Sequence, residues 1–473
     1  MNRLIPAGEV RSCSSREVKK SVFGVGLEKL DRGLYDPANA YDLIGETGVK
    51  FVRIQSGWAR CETVPGQYDF AWLDDIVDNL LTRGLQPWLC LCYGNGLYDP
   101  EAAKYLGGAG CPPRTADQLA AWSKYVNAVV SRYKGRISYY EVWNEPDGIW
   151  CWKSGVNAKE YGKLLKTTAK IIWHNDPAAQ IIGGAICLFD MQWLHELFET
   201  GAARAMDLLS YHGYNPDERV TVRIMRAVKA LALQYNPELR FVQGENGFQS
   251  ALTSAGALYG ANWTQKKQAK ALARMLLLHM ISGVEICSYF SALDMCEALH
   301  GKLGDEKSYQ DYATFGVLAE KFDESGKATG VYEPKESYRT LRVLASVFQG
   351  DFQLQDLPVI IDPHFLNGFP QQEPSWYIRR FDDPASDLIT QGFVRPDKGS
   401  AFVYWSPKEL LTTDYASTLT VECSTDKVPQ LVDLVSGKIY DFPEDMVEKD
   451  RHFVRLKHIP VKDSPLLLKF GEF

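Results

Sequence analysis

Short apolar runs alternate with amphipathic segments from about Ser21 to Phe348. The runs are rich in β-branched and aromatic residues, as buried strands are, and the segments between them repeat apolar residues at three- and four-residue intervals, as helices do. The predicted strands are 22–27, 50–55, 85–93, 137–143, 180–186, 207–214, 240–245 and 284–291. The predicted helices include 68–83, 116–133, 159–175, 191–200, 218–235 and 265–282.

Eight strand–helix repeats predict an α/β fold, a (β/α)8 TIM barrel over residues 21–348. The alternative is a doubly wound open sheet, which requires a glycine-rich phosphate-binding turn after its first strand. The stretch Gly24-Val25-Gly26-Leu27-Glu28-Lys29 lacks the third glycine of that turn. The barrel is therefore the preferred prediction.

The pattern changes after Phe348, where short strand-like runs follow one another between turn residues. These runs are 376–381, 401–405, 418–422, 430–434 and 466–470, and Gly437 is a plausible hairpin turn. They predict an antiparallel β-sandwich domain over residues 349–473, packed beside the barrel. The N-terminal segment, residues 1–20, is a candidate extra strand of that domain.

The charge and the aromatic content of the chain limit the kinds of molecule that it is expected to bind. The net charge of −7 and the lack of a basic run argue against nucleic acid and anionic membranes as partners. The 12% of aromatic residues suits a surface that binds flat, hydroxylated ligands. The start of the chain has no apolar leader segment, so the expected location is cytoplasmic as given, or secreted or periplasmic if a leader has been removed.

Ten cysteines are too few for a disulfide scaffold in a chain of 473 residues. Cys111 and Cys151 fall in predicted loops on the same face and are the one pair considered for a bond. No Cys-x-x-Cys or His-x-x-x-His spacing suggests a metal site. A metal-dependent hydrolase is therefore disfavoured, and no metal or cofactor is expected.

The fourth predicted strand ends at Trp143-Asn144-Glu145-Pro146. Proline removes a donor from the strand ladder and stops the strand, which leaves the carboxyl of Glu145 at its C-terminal end. In a parallel α/β barrel that end carries the catalytic groups. The alternative is a turn whose residues serve backbone geometry, with Glu145 merely solvated.

The seventh predicted strand also ends with a carboxyl, at Glu245 in Gln243-Gly244-Glu245-Asn246. Strands four and seven lie on opposite walls of an eight-stranded barrel, so the two side chains should meet across one pocket. A pair of carboxyls there is what glycosidic cleavage requires. Taken alone, Glu245 could instead be a salt-bridged residue of the barrel rim.

With both glutamates in place, the chain resembles the clan of retaining glycoside hydrolases, clan A, and most closely glycoside hydrolase family 39, the β-xylosidase and α-L-iduronidase family. The similarity extends from Val49 to about Leu344. It includes the stretches Gly183-Gly184-Ala185-Ile186, Ser210-Tyr211-His212-Gly213-Tyr214 and Lys335-Glu336-Ser337-Tyr338.

The resemblance implies that Glu145 is the general acid/base and Glu245 the nucleophile. Asn144 would bind the sugar 2-hydroxyl. Arg53, near the end of strand two, would keep the nucleophile ionised, since a nearby cation lowers the pKa of a carboxyl. Without the resemblance, Arg53 could equally form a rim salt bridge.

The same resemblance places His212 and Tyr214 in the site, with Tyr214 bonded to the nucleophile. A histidine in such a strand is otherwise often only a hydrogen-bonded structural residue. Trp150 and Trp152 could equally be core residues, but they follow a Pro-Asp-Gly turn and are therefore expected to line the cleft, giving Glu145 a dry setting that favours its proton.

The chain departs from the family at two strand ends. Gln55 replaces a sugar-contacting histidine after strand two, and Phe290 stands where a platform tryptophan is expected after strand eight. Asp294 and Glu297 remain candidates for sugar hydroxyl contacts. These changes put xylose specificity in doubt.

The predicted function is a retaining β-glycosidase, β-xylosidase-like, exo-acting, and active on a glycoside or oligo- or polysaccharide substrate. Long insertions at 94–114 and 293–332 could wall the cleft into an exo pocket. The alternatives are an endo-acting glycanase of the same clan and a catalytically inactive carbohydrate-binding barrel. A homo-oligomer is also compatible with the sequence.

Overall fold

The computed structural model describes residues 1, 3–300, 309–324, 327–367, 388–396, 398–414 and 417–473. In chain order the strands are β1 (Ile5–Glu9), β2 (Phe23–Gly26), β3 (Phe51–Gln55), β4 (Gln86–Leu91), β5 (Tyr139–Val142), β6 (Gln180–Ile186), β7 (Leu208–His212), β8 (Arg240–Asn246), β9 (Ile286–Tyr289), β10 (Met295–His300), β11 (Tyr309–Ala313), β12 (Leu318–Phe322), β13 (Ala328–Pro334), β14 (Gln353–Leu354), β15 (Val359–Asn367), β16 (Ile389–Arg395), β17 (Gly399–Trp405), β18 (Ser417–Cys423), β19 (Gln430–Asp433), β20 (Lys438–Asp441), β21 (Val447–Lys449), β22 (Val454–Val461) and β23 (Leu466–Gly471). The α-helices are α1 (Tyr41–Gly45), α2 (Trp58–Cys61), α3 (Ala71–Thr82), α4 (Ala116–Tyr133), α5 (Ala158–Asn175), α6 (Met191–Glu199), α7 (Glu218–Tyr235), α8 (Gln265–Ile281) and α9 (Glu336–Val347).

Strands β2 to β9 form a closed, all-parallel barrel. Each strand pairs with the next in sequence, and β9 closes the ring on β2, where Tyr289 pairs with Val25. The prediction of a (β/α)8 barrel is confirmed. Its eight strands are those read from the sequence, with ends that differ by a few residues.

The helices around the barrel follow the amphipathic pattern. Helix α4 begins with a reciprocal cap, in which Thr115 accepts a bond from the Gln118 backbone N–H and Gln118 accepts one from the Thr115 N–H. Its buried face repeats at helical spacing and contains Trp122, Val126, Val129 and Tyr133. This face packs on the barrel, and the polar face is left to solvent.

Apolar side chains fill the interior of the barrel below the functional end. They form a cluster of Phe51, Trp88, Ile182, Leu208, Val242 and Ile286. Side chains alternate along a strand, so Arg53, two residues after Phe51, also points inward but nearer the C-terminal end of β3. The polar interior residues are thereby placed at the C-terminal mouth.

The C-terminal region forms two antiparallel sheets. One has the strand order β1-β20-β19-β23-β17-β16-β14 and the other β15-β18-β22-β21. Their facing sides share an apolar core that includes Tyr404, Leu419, Val421, Leu456 and Leu468. The predicted β-sandwich is confirmed as an architecture, and its predicted run 376–381 lies outside the described residues.

Two features of this region concern the domain ends. Strand β1 pairs antiparallel with β20, so residues of the 1–20 segment contribute an edge strand to the seven-stranded sheet. Gly437, with φ +75°, lies between β19 and β20 in the predicted hairpin turn. The proposed division at 348/349 falls between α9 and β14.

The 293–332 insertion contains structure that the sequence pattern did not predict. It folds as two antiparallel pairs, β10 with β11 and β12 with β13. These hairpins lie between the eighth barrel strand and the last helix, on the C-terminal side of the barrel strands. They therefore border the mouth.

Two further findings concern membrane-spanning helices and the cysteines. Among the described residues, no helix is both long and apolar enough to cross a bilayer. Cys111 and Cys151 are both free thiols, so the bond considered between them is not formed. The Cys151 thiol instead contacts the Tyr93 hydroxyl and the Asn144 amide.

Helix α8 connects the barrel to the β-sandwich through two buried cations. Lys270 Nζ donates to both oxygens of Asp463, at 2.7 and 2.9 Å, and to the carbonyls of Leu411 and Thr413. One turn later Arg274 binds Glu218 and the Lys408 carbonyl. Both side chains are almost fully buried, so their charges depend on these partners.

We expect Lys270→Met to lower the free energy of unfolding by about 3–5 kcal/mol, because it leaves Asp463 buried without its cation. Chemical denaturation measures the change. The matched control is Lys266→Met, one turn earlier on α8 and partly exposed, which should cost less than about 1 kcal/mol. Equal effects of the two substitutions would show that the buried pair does not stabilise the interface.

Candidate active site

Glu145 and Glu245 lie together at the C-terminal mouth of the barrel. Glu145 follows β5, the fourth barrel strand, and Glu245 lies in β8, the seventh. One oxygen of each carboxyl and a ring nitrogen of His212 all lie within 4.8 Å of one another. The structure thus brings together the two glutamates that the sequence pattern singled out.

A shift of strand register places Glu245. Tyr211 pairs with Gln243, but the next residue, His212, pairs with Glu245, so Gly244 is an extra residue in β8. Val242 points into the barrel, and regular alternation would point Gly244 inward as well; the bulge gives that place to Glu245. A Cβ at position 244 would lie 2.2 Å from the Ser210 hydroxyl, which is why the bulge requires glycine.

The backbone around Glu145 is also unusual. Trp143 and Glu145 have φ values of +70° and +44°, in the left-handed region that side chains rarely adopt. Such residues cost on the order of 1 kcal/mol each and persist only where surrounding contacts fix them. Here the Trp143 indole donates to the Cys151 carbonyl at 2.8 Å and anchors the turn.

His212 connects the two carboxyls. Its Nδ1 lies 2.9 Å from Glu145 Oε1 and 3.7 Å from Glu245 Oε2, and the ring is fully buried. Burial lowers the pKa of His212, but the charges of Glu245 and Glu145 outweigh burial and raise that pKa above its ordinary value. A positive charge between the glutamates is therefore favoured.

Arg53 holds the other side of the site. Its guanidinium is fully buried and donates to Glu141 at 2.6 Å, to Glu245 Oε2 at 2.7 Å and to Asn144 Oδ1 at 2.7 Å. A longer bond of 3.3 Å reaches Glu28. One cation thus orients four groups from three barrel strands, β2, β5 and β8, a task suited to the rigid, multidentate guanidinium.

Glu245 is surrounded by groups that favour its anion. The Tyr214 hydroxyl donates to Oε1 at 2.8 Å, and Arg53 donates to Oε2. Burial raises the pKa of Glu245, but the charges of His212 and Arg53 and the Tyr214 bond outweigh burial and hold that pKa below its ordinary value. Glu245 is ready to act as a nucleophile or a base.

Glu145 has different surroundings. The Trp150 indole N–H donates to Glu145 Oε2, and nearly half of the Trp150 side chain is exposed, so it lies at the edge of the cleft as expected. The prediction that Trp152 lines the cleft is wrong. Trp152 is buried in the core between Trp143 and Tyr161, with ring centroids 5.8 and 5.9 Å away, and does not line the cleft.

Asn144 is fixed at both ends of its amide. Its Oδ1 accepts from Arg53, and its Nδ2 lies 3.3 Å from the Cys151 thiol. Asn144 directly precedes Glu145 in the chain, and it shares the Arg53 guanidinium with Glu245. Its contact with a sugar hydroxyl stays a prediction.

Gln55 and Phe290 occupy the two positions that depart from the family pattern. Gln55 Oε1 accepts from the Lys29 backbone N–H at 3.1 Å and from Arg32 at 3.3 Å, and its Nε2 donates to the Tyr93 hydroxyl. Gln55 thus braces the turn after the first barrel strand. Phe290 packs edge-on against Tyr214, with ring centroids 6.1 Å apart, and contributes an apolar wall.

Asp294 and Glu297 each have a lysine partner. Asp294 Oδ1 accepts from buried Lys335 at 2.6 Å and from the Gly316 N–H at 2.9 Å. Glu297 Oε2 lies 2.7 Å from Lys29 Nζ. These bonds give both carboxyls a structural role, and their predicted substrate contacts remain untested.

Two buried carboxyls of the site were missed in the sequence. Glu141 lies within β5, and Glu28 follows β2. The signals were present: Glu141 is a charge inside an otherwise apolar strand, and Glu28 ends a strand as Glu245 does. A buried carboxyl needs a partner, so each implied a hydrogen-bond donor inside the barrel.

The ligand atoms of Glu145, His212 and Glu245 lie close enough for a divalent cation. The environment opposes one, because Arg53 already binds Glu245 and the raised pKa of His212 favours the protonated ring. The arrangement suits proton transfer and nucleophilic attack.

The fold and the site define a (β/α)8 barrel with a paired-carboxyl centre at the ends of its fourth and seventh strands. The family model for glycosyl hydrolases family 39 matches residues 46–246. This span contains β3 to β8 and both glutamates. The resemblance to family 39 is confirmed.

Known proteins similar to this chain agree with that result. The β-xylosidase of Geobacillus stearothermophilus is 30% identical over 163 residues, which are 31% of this chain and 31% of the length of that enzyme. A family 39 glycoside hydrolase from Bacteroides cellulosilyticus WH2 matches 95% of this chain and 81% of its own, with a TM-score of 0.64 and 16% identity. A family 39 β-xylosidase from Caulobacter crescentus matches 98% of both chains, with a TM-score of 0.59 and 16% identity. At 16% identity, the two solved structures show only that this chain shares their fold.

We expect Arg53→Met to lower the free energy of unfolding by about 3–5 kcal/mol at neutral pH, because Glu141 and Glu245 lose their buried cation. A carboxyl whose pKa is lowered by folding, as that of Glu245 is, contributes stability above about pH 4 and loses it as the pH falls through the folded-state pKa. The difference in unfolding free energy between the wild type and Arg53→Met should therefore become smaller at acidic pH.

Denaturation of both proteins between neutral and acidic pH measures this effect. Arg11→Met, which removes an exposed arginine paired with Glu17, is the control and should change stability by less than about 1 kcal/mol. If Arg53→Met lowers the unfolding free energy by the same amount at every pH, the cause is the loss of packing and not the loss of the charge.

Proposed function

We propose that this protein is a retaining β-glycosidase that acts by double displacement. Glu245 attacks the anomeric carbon while Glu145 gives its proton to the departing glycosidic oxygen, which forms a glycosyl ester on Glu245. Glu145 then takes a proton from water, the hydroxyl oxygen bonds to the anomeric carbon, and the ester bond to Glu245 breaks.

The observation that carries this proposal is the spacing of the two carboxyls around His212. One oxygen of each lies within 4.8 Å of the other and of the ring nitrogen. Retaining enzymes hold their carboxyls about 5–5.5 Å apart, whereas inverting enzymes leave about 6.5–9.5 Å for a water molecule. The short separation favours direct attack by a carboxylate.

The surroundings support the division of roles. The nucleophile must be ionised, and Arg53, His212 and the Tyr214 hydroxyl lower the pKa of Glu245. Trp150 orients Glu145 at the more open edge of the cleft, where a leaving group would depart. Asn144, fixed by Arg53, is proposed to bind the sugar 2-hydroxyl.

The proposed substrate is a β-xyloside-like glycoside, attacked from its end. The Geobacillus relative is a β-xylosidase, and the 293–332 insertion folds into hairpins that border the mouth. A walled mouth favours an exo-acting pocket over an open cleft. Gln55 is bonded to the turn that follows β2, so we propose that groups other than Gln55 recognise the sugar.

We expect Glu245→Gln to reduce kcat at least about a thousandfold, because the amide is not a nucleophile, while sugar binding is largely kept. A panel of aryl β-xyloside, β-glucoside, β-galactoside, α-L-arabinoside and uronide substrates measures the rates. Glu46→Gln is the control, because this exposed residue follows α1 and lies away from the barrel mouth.

Hydrolysis of one glycoside by the wild type and Glu46→Gln, but not by Glu245→Gln, would support the proposal. Cleavage of longer xylans without release from aryl glycosides would favour an endo-acting glycanase. Sugar binding with no turnover of any substrate would favour an inactive carbohydrate-binding barrel.

We also expect Tyr214→Phe to move the acid limb of the kcat/KM profile to higher pH. The Tyr214 hydroxyl lowers the pKa of Glu245, so its removal raises that pKa and the nucleophile becomes protonated at a higher pH. Tyr235→Phe removes a hydroxyl bonded to His195 outside the site and serves as the control. An unmoved acid limb would show that Tyr214 does not control Glu245.

A further inference from the structure

Glu28 is a buried carboxyl at the barrel mouth to which the proposed reaction gives no role. It lies two residues after β2, the first barrel strand, and only 2% of its side chain is exposed. Its carboxyl folds over Gly26, where a Cβ would lie 2.1 Å from Oε2. The glycine therefore provides the space that the carboxyl occupies.

Glu28 and the nucleophile share one nitrogen of Arg53. Nη1 donates to Glu245 Oε2 at 2.7 Å and to Glu28 Oε1 at 3.3 Å. Glu28 therefore lies beside the carboxylate that is proposed to bond the anomeric carbon. A sugar ring held on Glu245 lies within reach of Glu28.

The second oxygen of Glu28 lacks a protein partner. Among the described residues, no other residue forms a hydrogen bond with Oε2. Glu28 and Gly26 line a cavity of about 10 Å³ with Tyr35, Ser291 and Asp294, which is enough for one water-sized group. A buried polar atom at such a cavity can bind a water molecule or a hydroxyl.

Gln55 fixes the chain next to Glu28. It accepts a bond from the Lys29 backbone N–H and another from Arg32, so the turn from 28 to 32 is held against β3. Both ends of the Gln55 amide are thus engaged by protein groups, since its Nε2 also donates to the Tyr93 hydroxyl. Glu28, next to Lys29, is an adjacent polar group with an oxygen that no other described residue binds.

We propose that Glu28 is a specificity-determining residue that binds the 3- or 4-hydroxyl of the sugar held against Glu245. This inference rests on the proposed function. Asn144, after the fourth barrel strand, is proposed to bind the 2-hydroxyl, and Glu28, after the first, lies on a different part of the barrel wall. It therefore faces a different part of the ring.

The ionisation of Glu28 suits this contact. Burial raises the pKa of Glu28 to about 8, with Arg53 opposing and Glu245 adding to the rise. The carboxyl is thus mainly protonated at neutral pH, and Oε2 can carry a hydrogen to donate. A neutral acid beside an anionic nucleophile also avoids repulsion between two charges at one guanidinium.

The test compares the wild type, Glu28→Ala and Glu28→Gln on para-nitrophenyl β-xyloside and on its 3-deoxy and 4-deoxy analogues. Glu28→Ala should lower kcat/KM for the parent at least about tenfold, and Glu28→Gln, which keeps a donor, should lose less. For the analogue that lacks the contacted hydroxyl, the wild type and Glu28→Ala should be equal. Equal thermal midpoints for the three proteins verify folding.

Two results would overturn the inference while leaving the proposed function intact. One is an unchanged kcat/KM for Glu28→Ala on the parent. The other is the same loss on all three substrates, which would mean that Glu28 acts only through Arg53 and Glu245.

Failure of the proposed function would look different, because the wild type would then hydrolyse no glycoside. In that case calorimetry with methyl β-xyloside and its deoxy analogues makes the same comparison by binding. Weaker binding to Glu28→Ala that disappears for one deoxy analogue would support the contact, and its absence would overturn it.

Discussion

The site depends on the pairing of one buried cation, Arg53, with carboxyl and amide oxygens from several strand ends. A guanidinium without water must have its donors satisfied, and here Glu141, Asn144, Glu245 and Glu28 satisfy them. These acceptors come from three strands, β2, β5 and β8, that are distant in sequence and meet only when the barrel closes. Closure of the barrel and assembly of the site are therefore the same event.

Much of this architecture could be read from the sequence. Parallel strands that are buried on both faces give continuous apolar runs, which is why the eight strands were found with small errors at their ends. Glu145 and Glu245 stood out because turn residues follow a strand in each case. The hairpins β10 to β13 were missed because their short strands lack that apolar signal, and part of the C-terminal region, including 376–381, lies outside the described residues.

Other parts of the site depend on geometry that a linear pattern does not contain. The bulge at Gly244 changes which residue points inward, and nothing in the local sequence distinguishes it from an ordinary turn glycine. Trp152 follows a turn as Trp150 does, yet it packs in the core. Gln55 looked like a replaced sugar contact, but it is bonded to the turn after β2 and to Tyr93. Such assignments depend on neighbours that lie far apart in the chain.

The pairing of β1 with β20 has a consequence for biosynthesis. Ile5 pairs with Asp441, so β1, which is synthesised before the barrel, must wait for a strand that is synthesised after it. The whole barrel is synthesised in between, and it can fold as a unit while β1 remains an unpaired tail. Because β1 and β23 belong to one sheet, that sheet is completed only after β23 has been synthesised, and it then joins a segment that precedes the barrel in sequence to one that follows it.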